Sequence, residues 1–114
     1  MNWFTTADKG GARDAGRRPG SDAMNGNAVM YDAGKILTFG GSQAYEGIGA
    51  TSNTILISLT GTNVTTKPVG AMKRARAFAS GVVLPDGKVL VVGGQAMPMI
   101  FTDTTAAMEC GAFH

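Results

Sequence analysis

One phrase occurs twice in this chain, and its spacing constrains the fold more than any other feature. Residues 29–41 read Val-Met-Tyr-Asp-Ala-Gly-Lys-Ile-Leu-Thr-Phe-Gly-Gly, and residues 82–94 read Val-Val-Leu-Pro-Asp-Gly-Lys-Val-Leu-Val-Val-Gly-Gly. The copies coincide without a gap at Val29/Val82, Gly34/Gly87, Lys35/Lys88, Leu37/Leu90, Gly40/Gly93 and Gly41/Gly94, a constant offset of 53 positions. Each copy is an apolar run, a three-residue turn containing Gly, a second apolar run and a Gly-Gly stop, which is how a β-hairpin looks in sequence. A self-similar hairpin at this period predicts an all-β chain made of repeated sheet units.

The remaining elements fall around the two hairpins. Asn25-Gly26 punctuates the start of the first unit, residues 27–31 and 35–39 form its hairpin, and the β-branched run 54–59 predicts a third strand. Gly61-Thr62-Asn63 makes the next turn, and residues 64–67 offer an outer strand that Pro68 closes. The second unit starts near residues 76–79, runs through 81–84, turns at Pro85-Asp86-Gly87 and returns through 88–92. A possible third strand lies around 105–109. Residues 1–24 mix Gly, Pro and alternating charges without periodicity and read as a long loop, with Met1 to Thr6 as the end of a preceding sheet in which Trp3 and Phe4 pack.

The strands 36–39 and 89–92 are apolar on both faces rather than alternating, so each is expected to be covered from two sides. A net charge of +2 with 16% charged residues leaves no electrostatic footprint for nucleic acid or an anionic membrane. The basic clusters Lys9, Arg13, Arg17, Arg18 and Lys73, Arg74, Arg76 read as solvated loop faces. Cys110 is the sole cysteine, which excludes an intrachain disulfide and a cysteine metal framework. No apolar run is long enough to span a bilayer and no signal-peptide pattern follows Met1, so the targeting segment of a secreted parent is expected upstream.

Catalytic motifs fail on inspection. Gly11-x4-Gly16-Arg17-Arg18 has the outer spacing of a phosphate loop without its Lys-Ser/Thr pair. Gly47-Ile48-Gly49 leads into a strand, not a helix, so it is no dinucleotide fingerprint. His114, the sole histidine, has no ligand or triad partner at useful spacing. One modification signal stands: Asn63-Val64-Thr65 is an N-glycosylation sequon at a predicted turn.

A hairpin unit recurring about every 50 residues with a terminal Gly-Gly resembles the blades of a kelch-type β-propeller, in which roughly four to eight four-stranded blades close a ring. The chain is then a propeller fragment of about one and a half four-stranded blades: residues 1–24 a loop with the end of a preceding blade, 25–70 a complete blade, 71–114 an incomplete one. Residues 22–24 and 26–42, Tyr45, residues 50–53 and 75–78, the run 82–87, Gly93-Gly94-Gln95 and Phe101-Thr102-Asp103 together resemble the kelch domain of the galactose oxidase family, with glyoxal oxidases as its sister group. The opening Met1-Asn2-Trp3 matches as well.

This resemblance implies a parent that oxidises a primary alcohol, or an aldehyde in glyoxal oxidases, while reducing oxygen to hydrogen peroxide. It uses one copper ion and a tyrosyl radical cross-linked to cysteine. By the same resemblance those groups come from other blades, so this chain alone is expected to hold no cofactor and to be inactive. Its part is structural and substrate wall. Tyr45 matches a tyrosine of the loop lining the sugar pocket, Phe101 matches a phenylalanine that packs on the sugar, and Glu46 replaces a substrate-bonding glutamine. An ionised carboxylate accepts hydrogen bonds but donates none, which alters the preference among carbohydrate or small alcohol and aldehyde substrates. The implied partners are the remaining blades, and the implied location of the parent is extracellular. Two departures stand out: Ala79 occupies a histidine position of the family pattern, and residues 110–114 resemble nothing in the family. These departures suggest a truncated or frameshifted reading frame started at an internal methionine. The rival reading is a non-catalytic kelch interaction module, because fold alone does not fix function.

An isolated piece of such a repeat exposes apolar sheet faces and strand edges. The purified chain is therefore expected not to behave as a soluble monomer; a sharp, concentration-independent unfolding transition of monomeric material would contradict this.

Overall fold

The computed structural model describes residues 1–98 and the backbone of 111–113. Among the described residues there is no helix, and the strands form three antiparallel sheets. β1 (Asn2–Thr5) pairs with β2 (Gly11–Asp14). β3 (Asn27–Asp32), β4 (Lys35–Phe39), β5 (Thr54–Thr60) and β6 (Asn63–Val69) form a four-stranded meander. β7 (Ser80–Val83), β8 (Val89–Val92) and β9 (Gly111–Phe113) form a three-stranded one. The radius of gyration is 15.2 Å over extents of 46 × 32 × 23 Å. A compact domain of this length would have about 13 Å, so the sheets extend in a row around no single centre.

The sequence repeat is also a backbone repeat. Isolated bridges join Met24 to Ser42 and Ala77 to Gln95, equivalent positions in the two units. Asn25 and Phe78, again equivalent, both hold a left-handed conformation, with φ of 59° and 58°. The Gly-Gly stop has a steric cause. Gly41 and Gly94 share a φ of 95°, and a Cβ on Gly41 would lie 2.9 Å from the Ala23 carbonyl oxygen, as one on Gly94 would lie 2.7 Å from that of Ala77. At this corner the chain passes directly over the backbone that opens its own hairpin, which only glycine permits.

The two large sheets pack face to face. Leu37 and Phe39 of β4 meet Val89 and Val91 of β8, with Met72 and Ala79 closing the cluster and Val29, Tyr31 and Val69 at its margin. The Phe39 ring abuts Gly81 of β7: a Cβ there would sit 2.6 Å from the ring's Cζ. Backbone hydrogen bonds lock the junction, from Gly41 N to Arg76 O (2.9 Å), Arg76 N to Thr51 O (3.1 Å), Met72 N to Ser52 O (2.9 Å) and Phe78 N to Asn25 O (2.8 Å). The Asn27 side chain adds one to the Ala79 carbonyl at 3.0 Å. Each such bond contributes about 0.5–1.5 kcal/mol net, whereas burying one Leu or Phe contributes about 1.5–3 kcal/mol. The apolar contact therefore holds the sheets together and the bonds set their register. The turn pairs Asp32–Lys35 (3.7 Å) and Asp86–Lys88 (3.2 Å) are exposed and contribute well under about 1 kcal/mol each.

Five details differ from the sequence reading. Residues 1–24 are not a plain loop, since β1 and β2 pair within them; every residue of β2 is exposed, so it carries no apolar pattern to detect. Trp3 is half-buried, but Phe4 is 73% exposed and does not pack as expected. Pro68 does not end the outer strand but sits inside β6 opposite Ile55, which an edge strand tolerates because its outward N–H is not needed. The first hairpin turn holds two residues, Ala33 and Gly34, with a bulge between Met30 and Asp32, whereas the second spans 85–87. The third strand beside β8 is β9, paired through Val89↔Phe113; residues 105–109 lie outside those described.

Gly81→Ala is expected to cost about 1–3 kcal/mol by overpacking against the buried Phe39 ring, read as a lowered urea midpoint. Phe39→Leu in the same chain should recover part of that loss, a coupling that a double-mutant cycle measures.

Candidate functional site

The register places two kinds of ends on each sheet. The turns 33–34, 61–62 and 85–87 lie at one end, and the segments 24–26, 40–53, 70–79 and 93–98 at the other. The second end carries the Gly-Gly corners and the candidate binding residues.

Loop 42–50 is held from below by Ser42, which is buried. Its hydroxyl donates to the Ile48 carbonyl at 2.8 Å and accepts from the Ala44 amide at 3.4 Å. The loop is tied sideways at two points: Asn25 Nδ2 donates to the Tyr45 carbonyl at 3.4 Å, and the Ala50 amide donates to the Ala96 carbonyl at 2.8 Å. This second bond joins the loop to its equivalent in the next repeat. Between those anchors the backbone arches outward, so Tyr45 is 58% exposed and Glu46 beside it is exposed. Of the predicted substrate residues, Tyr45 and Glu46 thus share one exposed loop on a fixed base, and Phe101 lies outside the described residues. Asn63 opens β6 at the opposite end, exposed beside the turn 61–62, where the sequon is accessible.

Sequence reasoning did not select Ile48, Phe78 and Met97, which lie at the same end as Tyr45 and are likewise exposed apolar groups. A signal for Phe78 existed. It occupies the repeat position of Asn25, where the backbone is left-handed, a conformation that asparagine tolerates and a bulky residue seldom adopts. Such an outlier marks a place where the surrounding structure overrides local preference. Here Phe78 is pinned by its amide bond to Asn25 and by the flanking bridge Ala77↔Gln95, and its ring stands 45% exposed. The site therefore presents four large apolar or aromatic side chains on a rim of hydrogen-bonded corners, a surface suited to the apolar face of a small ligand.

Comparison with known proteins gives this rim a context. Two galactose oxidases of Gibberella zeae are each 44% identical to the chain over 115 residues, covering 92% of this chain. The chain is homologous to a part of galactose oxidase. It spans 17% of the length of those curated relatives. A solved structure, described as a fungal alcohol oxidase with catalytic diversity among the AA5 family in complex with copper, superposes with a TM-score of 0.87 at 36% identity. That match covers 100% of this chain and 27% of the oxidase. No family model matches the chain.

Galactose oxidase and its AA5 neighbour make copper the metal to test against this chain. Among the described residues no three His, Cys, Asp or Glu side chains come together in a group able to hold a metal ion. Cys110 and His114 lie outside the described residues. The described residues do not fit a copper centre. What they offer is shape: a corner-anchored rim with aromatic side chains. Among the described residues no helix is long and apolar enough to cross a membrane.

Ser42→Ala removes both hydrogen bonds under the rim loop, a loss of about 1–3 kcal/mol for buried groups left unpaired. Amide exchange at Ala50 is expected to accelerate about tenfold or more with little change in the exchange of β8; unchanged Ala50 exchange would mean that the loop is held from elsewhere.

Proposed function

We propose that the chain is a structural and substrate-wall part of a kelch-type β-propeller belonging to a copper-radical oxidase, one that oxidises a primary alcohol with oxygen to aldehyde and hydrogen peroxide. The observation that carries this reading is the coincidence of two repeats: a 53-residue sequence period that recurs as a backbone period, in a chain 44% identical to galactose oxidase along 92% of its length. Sheet β3–β6 serves as one complete blade, β7–β9 as the inner part of a second, and β1–β2 as the outer part of a preceding one. The copper ligands and the radical pair come from outside the described residues, and the working site is extracellular.

Within that frame the rim loop contributes recognition, not chemistry. Tyr45 and Glu46, on one exposed loop, are the residues assigned to meet a bound sugar or alcohol, Phe101 is assigned to the same role by family resemblance alone, and the Glu46 carboxylate accepts from substrate hydroxyls but cannot donate. Loops on a rigid scaffold are where such contacts gather. Asn63, at the far end, is available for glycosylation without touching that wall. A glyoxal-oxidising parent would use the same scaffold, and the reading of a free-standing interaction module loses ground to the length of the galactose oxidase match.

The test is a chimaera in which residues 1–98 replace the matching segment of a Gibberella zeae galactose oxidase. The expected product binds copper and releases peroxide from primary alcohols, and Glu46→Gln in the chimaera shifts KM for galactose by severalfold with a smaller change in kcat. A folded, copper-loaded chimaera that oxidises no primary alcohol or aldehyde would overturn the proposal.

A further inference from the structure

Asn25 is followed by Gly26, and this is the one Asn-Gly pair in the sequence; the other asparagines precede Trp3, Ala28, Thr54 and Val64. The side-chain amide of an asparagine is open to attack by the backbone nitrogen of the next residue. Here the Gly26 nitrogen forms a bond to Asn25 Cγ, the Cγ–Nδ2 bond breaks and ammonia leaves, which gives a cyclic imide. Water then opens the imide at either carbonyl and leaves aspartate or its β-linked isomer, isoaspartate. One water is consumed and one ammonia released, with no change of oxidation state. A side chain on the following residue crowds the approach, whereas glycine leaves it clear and lets the backbone turn.

The structure places this pair where three parts of the molecule meet. Asn25 Nδ2 donates to the Tyr45 carbonyl at 3.4 Å, the Asn25 carbonyl accepts the Phe78 amide at 2.8 Å, and the Gly26 amide donates to the Ala23 carbonyl at 3.0 Å. Rim loop, second sheet and turn are thus joined through one dipeptide. Asn25 is half-buried, and its side-chain bond is at the long end of the hydrogen-bond range, so the amide group is loosely held and turns readily. A single backbone bond, to Ala23, occupies the attacking nitrogen. Bonds of this kind at loop ends open far more often than sheets unfold. The corner does not require asparagine either: Phe78 holds the equivalent position at a φ of 58° against 59° for Asn25.

The two products undo the joint to different depths. Aspartate tolerates the left-handed backbone, but its ionised carboxylate only accepts hydrogen bonds, so the tie to the Tyr45 carbonyl is lost and oxygen faces oxygen. Isoaspartate also routes the main chain through the former side chain, with one more carbon between Cα and the Gly26 nitrogen. The carbonyl that received the Phe78 amide then leaves the main chain as a free carboxylate.

We propose that Asn25-Gly26 is a deamidation site in the folded chain, and that its conversion releases loop 42–50 from the corner between the two large sheets. The loop keeps its anchors at Ser42 and Ala50 and loses the one between them. The new negative charge lies at the peptide that links Tyr45 to Glu46. Neither the chemistry nor the tie depends on copper or on the oxidase reading, so this experiment and the chimaera can fail separately.

The full 114-residue chain is held at neutral and at mildly alkaline pH, digested at intervals and analysed by mass spectrometry, which does not need a monomer. Residue 25 should gain the mass difference between an amide and an acid severalfold faster than Asn2, Asn27, Asn53 or Asn63. The rate should rise with pH, because the attacking nitrogen must give up its proton. Two variants connect the conversion to the loop. Asn25→Asp supplies one product directly, and Asn25→Gln, which would have to close a larger ring, should stay intact on ageing. Peptide amide exchange over residues 43–49 should be about fivefold faster in Asn25→Asp and in aged wild type than in fresh wild type, the factor that one hydrogen bond is worth. Aged Asn25→Gln should exchange as fresh Asn25→Gln does, and the isoaspartate fraction of aged wild type should also lose protection at Phe78. Conversion at residue 25 no faster than at the other asparagines would overturn the proposal, as would a converted chain whose loop exchanges like the fresh one.

Discussion

The contact between the Phe39 ring and the bare backbone of Gly81 carries the rest of the structure. At this point the two sheets meet where Gly81 lacks a side chain, and the largest buried ring fills that gap. Once the ring is seated, the corner hydrogen bonds between Gly41 and Arg76 and between Phe78 and Asn25 fall into register, and the loops above them acquire fixed starting points. The buried Arg76 extends the same corner, donating from its guanidinium to the Gly93 carbonyl at 2.7 Å. The rim is therefore a consequence of core packing: loop 42–50 holds its place because residues 41 and 51 are both bonded into the junction.

That dependence explains how a chain with so few chemically versatile side chains among its described residues can still present a fixed surface. Shape is supplied by backbone corners, which tolerate change in the residues between them. Tyr45, Glu46 and Ile48 stand on a span whose ends are fixed by Ser42 and Ala50, so their identity can vary without cost to the sheets. If the proposed role of the rim holds, Glu46 is a position at which a scaffold of this kind could change its ligand while keeping its fold.

The hairpins of both repeats were legible because turn and stop residues have direct steric causes: Gly41 and Gly94 are where a Cβ would strike backbone. The β1–β2 pair was not legible, since an exposed strand needs no apolar alternation and Gly11 to Asp14 read as loop. Pro68 misled for a related reason. Proline disfavours an inner strand but is tolerated on an outer one, so even in a strand read as outer it did not have to mark the end. On the site side, the Tyr45 loop was reached through family likeness, whereas the exposure of Phe78 follows from a left-handed backbone that local preference argues against. Its neighbours in space are fixed by inter-sheet hydrogen bonds, which no single stretch of sequence contains.

Pro68 has one more consequence. A sheet edge ordinarily offers a continuous row of donors to any strand that drifts alongside, and this is the route by which β-proteins coalesce into fibrils. With an imino acid in the middle of β6, that row is broken on the outer margin of the largest sheet. Lateral zippering is discouraged at that margin. That edge is thereby biased away from knitting like thread.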